Sequence, residues 1–286
     1  MLGLKRGCVE LHPHDQSWGV EAAKTIASLE AILGDIIRGA EHVGSTSIPD
    51  ISAKPIIDIA LATDSFSDII ERADVLKKNG FYYRKDASDE KQLLIACGPF
   101  YDGNGDEQTH FIHVVLTNSD EWWSYIYFRD YLRLFKDVAL QYQRIKTDLM
   151  HSTSNRSEYT EGKDEFISSV RTRAKILALL GKSVTVKIDR PKGTPHPDYP
   201  DTVYPINYGY IEGTMSGDGE PVDAYILGVD EPLISYTGKV IGIVHRKDDI
   251  EDKLLVAPTG YVTTPEQVKN EISFVESYYD SDIYLV

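Results

Sequence analysis

Residues 218–228, DGEPVDAYILG, set three carboxylates within six positions around a Gly-Pro turn and then run into an apolar strand. A second acidic turn, KDDIEDK, occupies residues 247–253. Carboxylates held this close repel one another, so a cluster turned inward calls for divalent cations or bound protons. Magnesium suits a donor set made of oxygen alone. Beside these turns YPINYGY, residues 204–210, supplies phenols that donate hydrogen bonds to phosphate oxygens without adding charge. Metal and phosphate chemistry is one reading of the set. An ordinary tight surface turn is the other, because Asp, Gly, Glu and Pro are its usual residues.

A second constellation lies in HVGSTSIPDISAKPIIDIAL, residues 42–61. Gly44, Ser45, Thr46 and Ser47 could present backbone N–H groups and hydroxyls to a phosphate as an anion nest. The strand that follows delivers Asp58, where a metal bound to that phosphate would sit. Lys54 could touch a triphosphate, and His113 could serve as a ligand or proton carrier. Arg129 and Arg133 stand four apart on one helical face and, with Lys163, could form a phosphate patch. The competing reading is a turn entering a buried strand, with Asp58 capping something local and the arginines on a solvated, salt-bridged face.

Periodicity supplies the elements that must hold these groups. Apolar residues recur at helical spacing from Glu21 to about Gly34, and again in SDIIERADVLKKNG. Long helices are predicted over residues 122–150 and 158–181. KPIIDIALA and THFIHVVLT read as strands. After Gly181 the texture changes to short β runs, VTVKI, NYGYI, DAYIL, KVIGIVHR and LLVAP, followed by one helix near PEQVKNEISFVESYY. The expected architecture is an α/β (α+β) domain over residues 1–181 and a small, OB-like β-barrel with a terminal helix over residues 182–286.

The formal net charge of −15 divides unevenly: 21 Lys and Arg face 27 Asp and Glu in residues 1–181, and 9 face 18 in residues 182–286. That balance argues against binding to a nucleic-acid backbone, which rests on basic residues neutralising phosphates. No apolar run approaches a membrane span, and residues 1–15 lack a signal peptide's apolar core. Two cysteines, Cys8 and Cys97, are too few for a disulfide scaffold. A cytoplasmic location is expected.

YPxNYGYI, DGxPVDxYILG and the later turn before LLVAP resemble the soluble family I inorganic pyrophosphatases across residues 184–286. The resemblance implies Mg²⁺ ligands at Asp218, Asp223 and Asp252, with Glu251 the alternative to Asp252 because the turn is one residue tight. A further ligand falls at Asp248 or Asp249, and Asp189 matches an early glutamate. Tyr204, Tyr208, Lys253 and Tyr278 match residues that hold the phosphates. Glu220 replaces the middle signature aspartate, which receives a proton from the attacking water. The segment over residues 192–203 is too short for the family's Lys-Glu hairpin, and Tyr279 stands where the family has lysine.

The GSTS turn, AKPIIDI, His113 in HFIHVV, FRDYLR and YTEGK resemble the GrpB family over residues 8–170, within the nucleotidyltransferase superfamily related to polymerase beta. That superfamily carries two acidic residues separated by one apolar residue. Asp58 matches the first and Ala60 replaces the second, so either another carboxylate substitutes or a nucleotide is bound without transfer. The function implied is Mg-dependent hydrolysis of pyrophosphate or a related phosphoanhydride, coupled to a nucleotide-binding or nucleotidyl-transferring first domain. The alternative is a non-catalytic regulatory protein whose two sites bind nucleotides or phosphate compounds.

Overall fold

The first expected helix starts earlier than Glu21. Helix α1 (Ser17–Leu33) buries Trp18, Ala22, Thr25, Leu29 and Leu33, a three-to-four spacing that keeps one face on the core. The structure is a computed structural model describing residues 1–152, 158, 161–197 and 199–286. The chain divides into two compact units, Met1–Ile167 and Ser168–Val286.

In the first unit a five-stranded mixed sheet is built from β1 (Ile37–Val43), β2 (Ile57–Thr63), β3 (Tyr82–Tyr83), β4 (Gln92–Cys97) and β5 (His110–Leu116). Their order is β1-β2-β5-β4-β3, with β2 and β5 parallel and the other pairs antiparallel. Alternation along β2 sends Ile57, Ile59 and Leu61 into the core shared with Trp18 and Leu29 of α1. It sends Asp58 and Ala60 to the opposite face. There Val43 and Ala60 pack against Ile126, Trp122 and Tyr125 of α4 (Asp120–Leu134).

Three predicted helices are interrupted. SDIIERADVLKKNG forms α2 (Phe66–Glu71) and α3 (Ala73–Lys78), broken at Arg72. The stretch over residues 122–150 forms α4 and α5 (Lys136–Ser152), because Phe135 between them leaves helical geometry and is buried. Within residues 158–181 the described helix is α6 (Asp164–Ala174), followed by a 3-10 turn. Tyr159 and Thr160 of YTEGK lie outside the described residues.

Lys146 of α5 is 2% exposed, its Nζ donating to the Ser52 carbonyl at 2.6 Å and lying 4.5 Å from the Tyr142 ring centre. Burial, helped by the charge of Lys163, lowers its ammonium to about 7. An unfolded lysine titrates near about 10.4, so between those values the unfolded chain binds more protons than the fold. Stability of the first unit therefore falls as pH drops through that window and levels off below it. Trp18, Trp122 and Trp123 all lie in this unit, so tryptophan emission reads its unfolding. From pH 7 to pH 9 the urea midpoint is expected to rise by the equivalent of about 2 kcal/mol. Lys146→Met should abolish the rise; an unchanged slope in the variant would refute the assignment.

In the second unit β6 (Ser183–Arg190), β7 (Asn207–Ile211), β8 (Val222–Ile226), β9 (Ser235–Arg246) and β10 (Lys253–Ala257) form a closed five-stranded barrel. Closure comes from β9, whose first half pairs with β6 while its middle pairs with β10. A bulge between Val240 and Gly242 bends it. The unforeseen strand β11 (Ser281–Leu285) adds to the far half of β9. The single terminal helix expected from sequence is two, α7 (Pro265–Glu271) and α8 (Ser273–Glu276), broken at Ile272. Thr264 and Gln267 form a capping box at the start of α7. Tyr225, Leu255 and Ala257 pack against Val268 and Ile272 of these helices. Among the described residues no helix is long and apolar enough to cross a membrane.

Candidate active site

The two acidic turns meet because Gly217 has no side chain: a Cβ there would stand 1.9 Å from the Ile250 carbonyl oxygen. This approach sets Asp218 beside Glu251, and their carboxyls share a hydrogen bond. Burial and then that bond push the Glu251 carboxyl up, while the same bond holds Asp218 down. Lys253 Nζ donates to Glu251 Oε2 at 2.9 Å and to Asp223 Oδ2 at 2.7 Å. Burial alone would lower this ammonium; Asp223 and Glu251 outweigh it and hold it above its ordinary value. Tyr208 donates its phenol to the same Asp223 oxygen at 2.5 Å. Burial, then the Asp223 charge, raise that phenol well above its usual range, so it stays a donor.

Asp189 lies within electrostatic reach of Asp223 and is raised, first by burial and then by that charge, against the pull of Arg190. Tyr204 is 4% exposed and hydrogen-bonds Arg190, and its ring centre lies 5.8 Å from that of Tyr208. Glu220 is exposed on the turn, its N–H donating to Asp218 Oδ1 at 2.9 Å. Tyr278 is 79% exposed.

Asp218, Asp223, Glu251, Lys253 and Tyr208 are therefore brought together, and Asp252 is turned away. Asp252 is 4% exposed and accepts from His245 Nδ1 and Arg173 Nη2, each at 2.8 Å. Burial would raise its carboxyl, but the His245 bond and the Arg173 charge reverse this and hold it low. Asp248 accepts from the Asp280 N–H at 3.1 Å, and Asp249 pairs with Arg246 at 3.0 Å. Among the described residues no three His, Cys, Asp or Glu side chains are arranged to hold a metal ion. Lys253 occupies the space between the two carboxylates that would share one. Sequence reasoning did not find the buried Arg246–Glu276 pair, joined at 2.7 Å and capped by the Tyr225 phenol at 2.6 Å. Its signal was an arginine closing the apolar run of β9.

In the first unit Gly44 adopts φ 69°, and a Cβ there would lie 2.5 Å from Asp58 Oδ2. Glycine is thus required for the turn to close over Asp58. Asp58 Oδ1 lies 3.2 Å from His113 Nε2, while the buried His113 Nδ1 has no hydrogen-bond partner among the described residues. The turn's hydroxyls point inward: Thr46 Oγ1 bonds His42 Nε2 at 3.0 Å, and Ser47 Oγ donates to the Gly44 carbonyl at 2.7 Å. Ser45 Oγ reaches the Tyr142 hydroxyl at 3.4 Å. Burial lowers His42 to about 4, so this ring is neutral at neutral pH. His42, one alternation before Gly44, was not among the expected site residues.

The two arginines brace this turn. Arg129 donates to Glu41 at 2.6 Å and to the His42 carbonyl at 3.1 Å; Arg133 donates twice to the Ser47 carbonyl, at 3.0 and 2.9 Å. Arg133 keeps 41% of its side chain exposed. Lys54 and Lys163 are half-buried. Ala60 is fully buried against Ile126, so the position of a second carboxylate is part of the core.

A GrpB protein family model matches residues 8–173, and an inorganic pyrophosphatase model matches residues 178–280. The glutamate-rich protein GrpB of Alkalihalophilus pseudofirmus is 33% identical over 172 residues, covering 59% of this chain and 98% of that protein. An inorganic pyrophosphatase of Xylella fastidiosa is 31% identical over 83 residues, which is 27% of this chain and 45% of that protein. Less than half of that relative's length is thus represented here. The crystal structure of GrpB from Enterococcus faecalis shares the fold of the first part, with a TM-score of 0.54 and 24% identity over 59% of this chain and 99% of that one. A GrpB-like domain is fused to a pyrophosphatase-like domain. The chain belongs to the GrpB family.

Proposed function

We propose that the second unit hydrolyses pyrophosphate or a related phosphoanhydride with Mg²⁺. The observation that carries this reading is the convergence of Asp218 and Asp223, from one turn and the strand it enters, with Glu251 of the later turn around Lys253 and Tyr208. The donor set is all oxygen, and its negative charge exceeds that of the one buried ammonium, which suits a hard divalent cation. Asp218, Asp223 and Glu251, not arranged as a metal site while Lys253 stands between Asp223 and Glu251, would hold it once Lys253 turned to a phosphate. Bound there, the metal would lower the pKa of a coordinated water and offset charge on the departing phosphate. The residues have their own tasks: Lys253 and Tyr208 donate to phosphate oxygens, and Glu220 or Asp189 receives the proton released by the attacking water. Phosphate release from magnesium pyrophosphate by the purified chain is the test. No release above buffer at any magnesium concentration would end this reading.

The first unit, in the same proposal, binds a nucleotide or other phosphorylated ligand beside Asp58 and His113. The burial of Ala60 favours binding without nucleotidyl transfer, since a two-metal site needs the second carboxylate. If transfer occurs, pyrophosphate hydrolysis by the same polypeptide would draw it forward. Both activities are placed in a reducing cytoplasm, consistent with Cys8 and Cys97 as free thiols.

A further inference from the structure

A cavity of about 360 Å³ opens in the second unit, its lining including His196, Tyr199, Thr202, Phe274, Tyr278 and Tyr279. No Lys, Arg, Asp or Glu contributes to the described lining. One wall is formed by His196, Tyr199 and Thr202, where the His196 N–H donates to the Thr202 carbonyl at 2.7 Å and the Tyr204 N–H to the Thr194 carbonyl at 2.9 Å. The other wall is α8 and the tyrosines that follow it. Tyr279 is fixed in place by the Arg246 guanidinium, 3.6 Å from its ring centre.

Aromatic contacts connect this cavity to the reacting groups. His196 stacks on Tyr204 at 5.9 Å with an 8° interplanar angle, and Phe274 meets Tyr204 edge-on at 5.3 Å. Tyr204 in turn adjoins Tyr208, which holds Asp223. A phosphate would pay heavily in desolvation to enter a lining whose described residues include no Lys or Arg. A flat, neutral ring system would instead stack on tyrosine and histidine faces. The volume sits near the lower end of the roughly 300–1,000 Å³ typical of ligand pockets, enough for one ring system.

We propose that this slot takes the base of a nucleoside diphosphate, which makes substituted diphosphates, rather than bare pyrophosphate, the preferred substrates. The inference rests on the phosphoanhydride reading of the carboxylate cluster. In the reaction the water oxygen bonds to the terminal phosphorus, and the bridging oxygen leaves with its electron pair on the nucleoside monophosphate. One water proton stays on the released phosphate, and the other passes through a carboxylate to solvent.

The test compares magnesium pyrophosphate with magnesium ADP as substrates of the full chain, and measures binding of the α,β-methylene analogue of ADP by calorimetry. Thr202→Trp fills the slot, and Tyr199→Ala removes one face of it. The expected result is a higher kcat/KM for ADP than for pyrophosphate, with KM for ADP raised about 10-fold or more in each variant, the order of a lost base–aromatic stack. Pyrophosphate kinetics should stay within about twofold, since neither side chain reaches the carboxylates. Pyrophosphate hydrolysis with ADP untouched, and variants that alter neither, would overturn the slot while leaving the hydrolase reading intact. Absence of all hydrolysis, with analogue binding that both variants weaken, would uphold the slot and end the hydrolase reading. Analogue binding indifferent to both variants would overturn the slot, whatever the rates.

Discussion

Replacement of Arg173 by methionine is expected to destabilise the second unit by about 3–5 kcal/mol, because it leaves a buried carboxylate without its cation. Arg173 bonds Asp252 at 2.8 Å and the Arg246 carbonyl at 3.2 Å, and Asp252 is almost wholly buried. His245 would still bond that carboxylate. The consequence reaches past the family match: Arg173 stands upstream of residue 178, where the pyrophosphatase similarity begins. A fragment starting at residue 182 should therefore unfold at lower urea than one starting at residue 168. All three tryptophans belong to the first unit, so a circular dichroism transition that shifts without tryptophan emission reports the second. Adding Asp252→Asn should recover much of the loss, since an amide needs no cation. A single-variant shift below about 1 kcal/mol would show that the contact carries little.

What the sequence made legible depended on whether neighbours in space were neighbours in the chain. Asp218 and Asp223 are close in sequence and flank one turn, so their partnership could be read directly. The barrel strands announced themselves as short β-type runs and by the Pro, Gly and Asp turns between them. The breaks at Arg72, Phe135 and Ile272 could not be read, because the apolar pattern continues through each bend and periodicity reports faces, not direction. Strand β4, QLLIAC, was missed because a short apolar run does not by itself distinguish strand from helix. The buried pairs Arg173–Asp252 and Arg246–Glu276 join distant residues, and although Arg246 closes an apolar run, no local pattern names either partner.

One ambiguity had its answer in the sequence. Glu251 and Asp252 lead into the strand that begins at Lys253, and where extended backbone is continued back through them residues 251 and 253 share a side and residue 252 takes the other. If Lys253 serves phosphate, parity places Glu251 beside it and directs Asp252 into the core, as observed. Ala60 illustrates the reverse case. Its identity was visible from the start, but that it fills a hydrophobic contact with Ile126 required the register of β1, β2 and α4.

On the proposed reading, Asp223→Asn is expected to lower kcat for pyrophosphate about 10²–10³-fold, the scale of losing one preorganised electrostatic group at a reacting centre. Asp223 accepts from both Tyr208 and Lys253, so the carboxylate positions the two phosphate donors while offering its remaining oxygen to a cation. Asparagine keeps the shape and one acceptor but removes the charge, and Lys253 keeps Glu251 as its partner; folding should survive. Glu251→Gln should likewise reduce kcat with little change in the urea midpoint. Asp252→Asn should do the opposite, lowering the midpoint while the folded fraction turns over at nearly the original rate, because its carboxylate faces Arg173 and His245. Rate and midpoint measured on the three variants separate metal ligand from structural ion pair. Loss of kcat in Asp252→Asn with normal turnover in Glu251→Gln would reverse the assignment, and with it the account of how the two acidic turns combine.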